Sequence, residues 1–261
     1  MENYEIRGLE MKLGFSLLSL FMKDVHEMLE IATDNGFDSV ELLAEGPYRP
    51  DYLLDNKDAI ESFASFDLDI YMHGVNVDIN LASINNGIRL ESVRQTKDCL
   101  DLANEIGAIA VTSHPGVVGR REDRIRKMAL HFLNESVVEI MEHADTMEAK
   151  FCIENMPERF SYLGNRAYEL ENLVNETGCS ITIDLGHVNT CEDQLSFFKI
   201  PNIVYNHIND NDGIKDKHQA IGEGTLDLNL LKYVENGIIE LNNFDNVMKS
   251  KKVIEDFLKE N

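Results

Sequence analysis

At 261 residues, 43% hydrophobic and 27% charged, the chain is long enough to bury a large core and fits one α/β barrel domain. Its 47 acidic residues against 24 Lys and Arg leave a net charge of −23, which disfavours polyanions over most of the surface and confines any nucleic-acid reading to a local basic patch. No apolar run approaches the roughly 18 residues of a membrane helix, and four well-separated cysteines without a C-x-x-C pair support neither a zinc ribbon nor a redox motif. No secretory leader is visible, so the protein is expected in the cytoplasm, with no membrane and no stable protein partner implied. Residues 1–10 read as a polar leader before a single domain over 11–261, and Met11 is an alternative start to Met1.

Eight short apolar runs follow one another along the chain. They are KLGFS (12–16), SVELL (39–43), LDIYMH (68–73), AIAVTSH (108–114), KFCIEN (150–155), SITID (180–184), IVYNHIN (203–209) and GIIEL (237–241). Most are nearly continuous in apolar character, as strands buried on both faces are. Helical segments alternate with them. The clearest covers about 122–147, where Ile125, Met128, Ala129, Phe132, Leu133, Val137, Ile140, Met141 and Ala144 form one stripe. Gly36 and Gly107 are placed to close the helices before the second and fourth strands. Eight βα units in one domain of this length predict a (β/α)8 TIM barrel, and no G-x-G-x-x-G follows the first strand to argue for an open doubly wound sheet.

In such a barrel the active face lies at the C-terminal strand ends. The polar residues expected there are His73, His114, Glu154, Asp184, His187, His207, Asp216, His218 and Glu240. Taken singly, each has an ordinary explanation; Asp184 and His187, for example, can be a helix cap and its hydrogen-bond partner. Taken together, four carboxylates and five imidazoles brought to one rim are costly to bury without cations among them. A His and carboxylate set without cysteine suits Zn²⁺ and also accepts Mn²⁺ or Fe²⁺. His26, His131 and His143 fall in helices and read as structural.

These residues lie in HGVNVDINLAS (73–83), SHPG (113–116), IENMP (153–157), DLGH (184–187), HIND (207–210), DKHQAIGEG (216–224) and IIEL (238–241). On those motifs the chain resembles the endonuclease IV group, AP endonuclease family 2, within the xylose-isomerase-like barrel superfamily, from Met11 onward. The resemblance implies up to three divalent metals. His73, His114 and Glu154 would hold one; Glu154, with Asp184, His207 and Glu240, a second; His187, Asp216 and His218 the third. It further implies hydrolysis of a phosphodiester, at an abasic site in DNA, by a metal-activated hydroxide. A phosphorylated small molecule is the other substrate class.

The loops after the second and third strands, AEGPYRPDY and GVNVDIN, depart from the bulky duplex-inserting loops of that group and offer Tyr48 and Arg49. Arg120, Arg121, Arg124, Arg126 and Lys127 cluster after SHPG, and Lys215 and Lys217 flank Asp216. All of these cations are placed to contact phosphates, with Arg49, Arg120, Arg121 and Lys217 the leading candidates, set against a solvated face with Glu122 and Asp123 pairing among the arginines. Three divalent ions add six positive charges and leave the net charge at −17. The alternative is a sugar or sugar-phosphate isomerase or epimerase. It needs only Glu154, Asp184, His207 and Glu240 around one metal, with the two glutamates shuttling a proton and His187 orienting substrate. Glu41, in SVELL, and Glu158 are acids associated with that reading.

Overall fold

The computed structural model describes residues 11–260; the polar leader expected over 1–10 lies outside the described residues. Eight parallel strands close into a barrel in sequence order: β1 (Lys12–Ser16), β2 (Ser39–Leu43), β3 (Asp69–His73), β4 (Ala110–Ser113), β5 (Lys150–Glu154), β6 (Ser180–Asp184), β7 (Ile203–Ile208) and β8 (Asn236–Ile239). The α-helices are α1 (Val25–Asp34), α2 (Pro50–Leu53), α3 (Lys57–Phe63), α4 (Asn86–Glu105), α5 (Asp123–Ala144), α6 (Ala167–Thr177), α7 (Leu185–Asn189) and α8 (Phe244–Glu260).

The eighth strand ends one residue before its predicted glutamate and the fourth one residue before its histidine, so Glu240 and His114 sit just past the ladders. One crossover departs from the expected pattern. Between β7 and β8 the chain makes only a 3-10 helix, Leu228–Tyr233, because residues 209–227 form a long loop over the barrel mouth and leave too few for an α-helix. Gly36 and Gly107 end α1 and α4 with φ of 65° and 70°, as their positions predicted.

Two apolar compartments hold this frame. Outside the barrel, strand residues such as Phe15, Val40, Met72, Phe151 and Ile183 meet the helices, and all are essentially inaccessible; each such side chain contributes about 1.5–3 kcal/mol by leaving water. Inside the barrel, Tyr71, Ala110, Cys152, Tyr205 and Ile238 form a separate plug. The stripe predicted for α5 shifts by part of a turn. Met128 is 47% exposed and Arg126 is buried in its place. Arg126 donates to both carboxylate oxygens of Glu169, to Asn165 Oδ1, and to the carbonyls of Phe160 and Tyr162. It therefore fastens the loop after β5, and the sequence-based grouping of Arg126 with free phosphate contacts is corrected. The four cysteines are free and buried. Among the described residues no helix is long and apolar enough to cross a membrane.

Candidate metal centre

Side chains two residues apart on a strand share a face. The plug residues Tyr71, Cys152, Tyr205 and Ile238 are thus followed on the barrel's inner face by His73, Glu154, His207 and Glu240. Strand pairing aligns them: Glu154 stands opposite Thr182, and Asp184 opposite His207. The loop after β7 then brings Asp216 and His218 over the mouth.

All nine predicted side chains meet in three groups, two of which share Glu154. They are His73, His114 and Glu154; Glu154, Asp184, His207 and Glu240; and His187, Asp216 and His218. Within each group the ligating atoms lie within 4.8 Å of one another.

Three imidazoles have their tautomers set by backbone carbonyls. His73 Nδ1 donates to the Gly74 carbonyl at 2.9 Å, His187 Nδ1 to Asn155 at 2.7 Å and His218 Nδ1 to Glu240 at 3.0 Å. A carbonyl only accepts, so in the neutral ring Nε2 carries the lone pair, and each Nε2 points at a carboxylate. His73 Nε2 and His114 Nε2 lie 3.5 and 3.2 Å from Glu154 Oε2. His187 Nε2 and His218 Nε2 lie 3.3 and 3.2 Å from Asp216 Oδ2. His207 is turned the other way. Its Nε2 donates to Glu41 Oε2 at 2.7 Å, leaving Nδ1 to face Glu154 Oε1 at 3.1 Å and Glu240 Oε2 at 3.4 Å.

Glu154 Oε2 is buried without a hydrogen-bond partner although two imidazole nitrogens face it. Lone pairs converging on an orphaned carboxylate oxygen suit a divalent cation, so the donor set fits the metals that the motifs imply.

Electrostatics agree in direction except at His114, where burial lowers the ring in spite of Glu154 beside it. Burial opposes charge on His73, but the carboxylates of Glu154, Glu41 and Glu240 outweigh it and lift the ring to about 9. Burial is likewise overcome at His187 and His218, both lifted to about 10, by Asp184 and Asp216 in the first case and by Asp216 and Glu240 in the second. Glu154 is held well below the usual carboxylate range, since His207, His114 and His73 outweigh its burial. Glu240 is raised by burial and by the nearby charges of Glu154 and Asp184. The cluster draws positive charge to its centre, and protons and metal ions compete for the same nitrogens.

The support is built locally. Asp184 Oδ1 accepts the His187 backbone N–H at 2.7 Å, capping α7, while Oδ2 accepts from Asn209 at 2.8 Å. The cap and the ligand position coexist in one side chain. Gly186 allows Asn209 this approach, because a Cβ there would stand 1.9 Å from Asn209 Oδ1. The long loop is fastened by the buried Asp210, whose carboxylate accepts the N–H groups of Asn211, Gly222, Gly224 and Leu226 at 2.8–3.0 Å. Gly224 is required there, since a Cβ would meet the Asn211 carbonyl at 2.1 Å. GEG thus shapes the turn behind His218. Sequence reasoning assigned no role to Asp210, Asn155 or Asn209, although they lie within the motifs IENMP and HIND.

The centre has a dry side and an open side. Glu154, Asp184 and His207 are at most 1% exposed, whereas the side chains of His114, Asp216 and His218 are 25–30% exposed and face the mouth. The four cations singled out for phosphate are engaged elsewhere. Arg49 is held by Glu45, Asp51 and Gln95. Arg120 pairs with Glu122, Arg121 lies over Phe160, and Lys217 pairs with Asp212. Glu158 donates its backbone N–H to Thr190 Oγ1.

Comparison with known proteins bears on the choice of chemistry. The family model for the xylose isomerase-like TIM barrel matches residues 29–236. An uncharacterized protein of Methanocaldococcus jannaschii is 29% identical over 270 residues, covering 96% of this chain and 90% of its own. A crystal structure of a D-tagatose 3-epimerase-like protein superposes with a TM-score of 0.84 at 28% identity, covering 95% of this chain and 97% of that one. Endonuclease IV from Thermus thermophilus superposes with a TM-score of 0.76 at 21% identity, covering 96% and 100%, a likeness of fold. One architecture thus carries an endonuclease and an epimerase-like protein, and the decision between them falls to the site.

Proposed function

The chain belongs to the xylose isomerase-like TIM barrel family, and within it we propose a metal-dependent phosphodiester hydrolase of the endonuclease IV kind with a three-metal centre. One observation carries this reading: two further ligand groups flank the central one, His73 and His114 through the shared Glu154, and His187, Asp216 and His218 across the mouth. An isomerase built on one metal uses His187 to orient substrate but does not require His73, His114, Asp216 and His218.

Divalent ions in these groups, Zn²⁺ before Mn²⁺ or Fe²⁺ for this donor set, supply a nucleophile from water at neutral pH and Lewis-acid stabilisation of a phosphoryl oxygen. The chain's own residues do the rest. Gly74, Asn155 and Glu240 carbonyls fix which ring nitrogen is offered, and Asn209 and Glu41 hold Asp184 and His207 in place. Substrate enters from the side where His114, Asp216 and His218 are exposed. No side-chain nucleophile is required.

The second reading, a sugar or sugar-phosphate epimerase, is favoured by the completeness of the central group alone and by the raised Glu240, an acid suited to proton exchange. Metal analysis separates the two. About three equivalents per chain are expected, falling by about two in Glu154→Ala, with phosphodiester hydrolysis falling by about a thousandfold for the several kcal/mol lost. One equivalent, with ketose epimerised and diester left intact, would replace the first reading by the second.

A further inference from the structure

We propose that the substrate is a small phosphate ester, and that Glu45 turns polyanions away from the mouth by occupying an anion cradle on its rim. This rests on the hydrolase reading above.

The loops after β2 and β3 rise side by side, joined where the Ala44 N–H meets the His73 carbonyl at 2.9 Å. Two consecutive backbone N–H groups, those of Asn76 and Val77, point to one place beside the Arg49 guanidinium. Successive N–H groups with an arginine form a concavity for a phosphate or carboxylate oxygen. Here the occupant belongs to the chain itself. Glu45 Oε1 accepts from Asn76 at 2.7 Å and Val77 at 2.8 Å, and Oε2 lies 3.3 Å from Arg49. The Glu45 side chain is 13% exposed, and Arg49 is tied down further by Gln95 at 2.8 Å. An incoming phosphate would have to displace a carboxylate already matched to every donor.

Elsewhere on the rim Lys217 lies 2.6 Å from Asp212 and Arg120 3.3 Å from Glu122, while Arg121 lies over the Phe160 ring. A nucleic-acid strand needs cationic contacts at phosphates on either side of the reacting one. Arg49, Arg120 and Lys217 would meet those flanking phosphates already paired with carboxylates, on a chain of net charge −23. A small ester needs only the charge at the centre, which the metal groups supply, and presents nothing to the rim that Glu45 opposes.

The test uses metal-loaded protein, bis(p-nitrophenyl) phosphate as the small diester, and a fluorescent duplex bearing an abasic-site analogue followed by anisotropy. The expected result is hydrolysis of the diester, duplex affinity weaker than about 10⁻⁵ M at physiological salt, and several-fold tighter duplex binding by Glu45→Gln, which keeps the hydrogen-bond acceptor but removes the charge. Wild-type binding tighter than that, or cleavage of the duplex, would overturn the inference and leave the hydrolase reading standing. Unchanged duplex affinity in Glu45→Gln would overturn the role of Glu45. Hydrolysis of neither substrate would bring down the hydrolase reading and this inference with it.

Discussion

The floor and the mouth of the barrel are built by the same strands two residues apart, and they obey opposite rules. Tyr71, Cys152, Tyr205 and Ile238 pack dry against one another, while His73, Glu154, His207 and Glu240, one inward-facing step further along, gather charge. Between them lies a polar layer. Tyr205 donates its hydroxyl to Glu41 at 2.7 Å and also lies 2.6 Å from Thr112 Oγ1, which is itself 2.5 Å from Thr182 Oγ1. The floor stabilises by removing apolar surface from water; the mouth draws on that stability to hold like charges together. Separating the two effects reduces to substituting one layer at a time.

The largest stability effect is expected at the floor. Ile238→Ala empties a fully buried position and should cost about 2–5 kcal/mol in denaturant unfolding, with metal stoichiometry unchanged. Loss of bound metal in that variant would mean that the layers are not separable. A smaller effect is expected where they join. Glu41 is fully buried, accepts from both Tyr205 and His207 through Oε2, and leaves Oε1 without a partner. Burial works against its charge, but His207 beside it keeps its carboxyl below the usual range. Glu41→Gln weakens the orientation of His207 and should lower affinity at the central group by about 10–100-fold, as for other carboxylates behind a metal-binding histidine. Competition with a chelator reads this directly. Equal weakening of all three groups would show a general loosening of the barrel instead.

Much of this layering was legible in the sequence, for reasons that differ from place to place. Eight apolar runs separated by helical lengths leave few closed topologies, and a period of two along each run tells which residues share the interior. The convergence of His73, Glu154, Asp184 and His207 follows from that geometry. What pairwise contacts decide was not legible. Arg126 reads as one of five basic residues after SHPG, and only the fold reveals Glu169 opposite it, 43 positions away. Arg49 reads as a free cation until Glu45, Asp51 and Gln95 surround it. Glu41 was noted as an acid at a strand end, but its partners lie on β7, 164 and 166 positions on. The missing α-helix after β7 was hidden because its crossover is shared with the loop that Asp210 fastens.

The smallest effect expected is the absence of a reaction. Cys152 sits in the floor two residues before Glu154, close below a centre that attracts metals, yet burial pushes its thiol up to about 12. Cys99, buried under the loop after β3, is pushed up to about 12 in the same way. An unfolded thiol titrates near about 8.5, so in the native protein the thiolate is scarce at pH 8 and a soft reagent finds neither charge nor access. Iodoacetamide should therefore leave both cysteines unlabelled in the native protein at pH 8 and label them on unfolding, as mass spectrometry of peptides would read. The sign of the linked stability follows. A group whose folded value lies above its unfolded one contributes fully below the unfolded value, and that contribution declines as pH rises through 9 and 10, by up to about 1.4 kcal/mol per pH unit for each thiol. Rapid native labelling of Cys152 would mean that the floor opens to water, and the division between a dry floor and a charged mouth would then fail at its lower boundary.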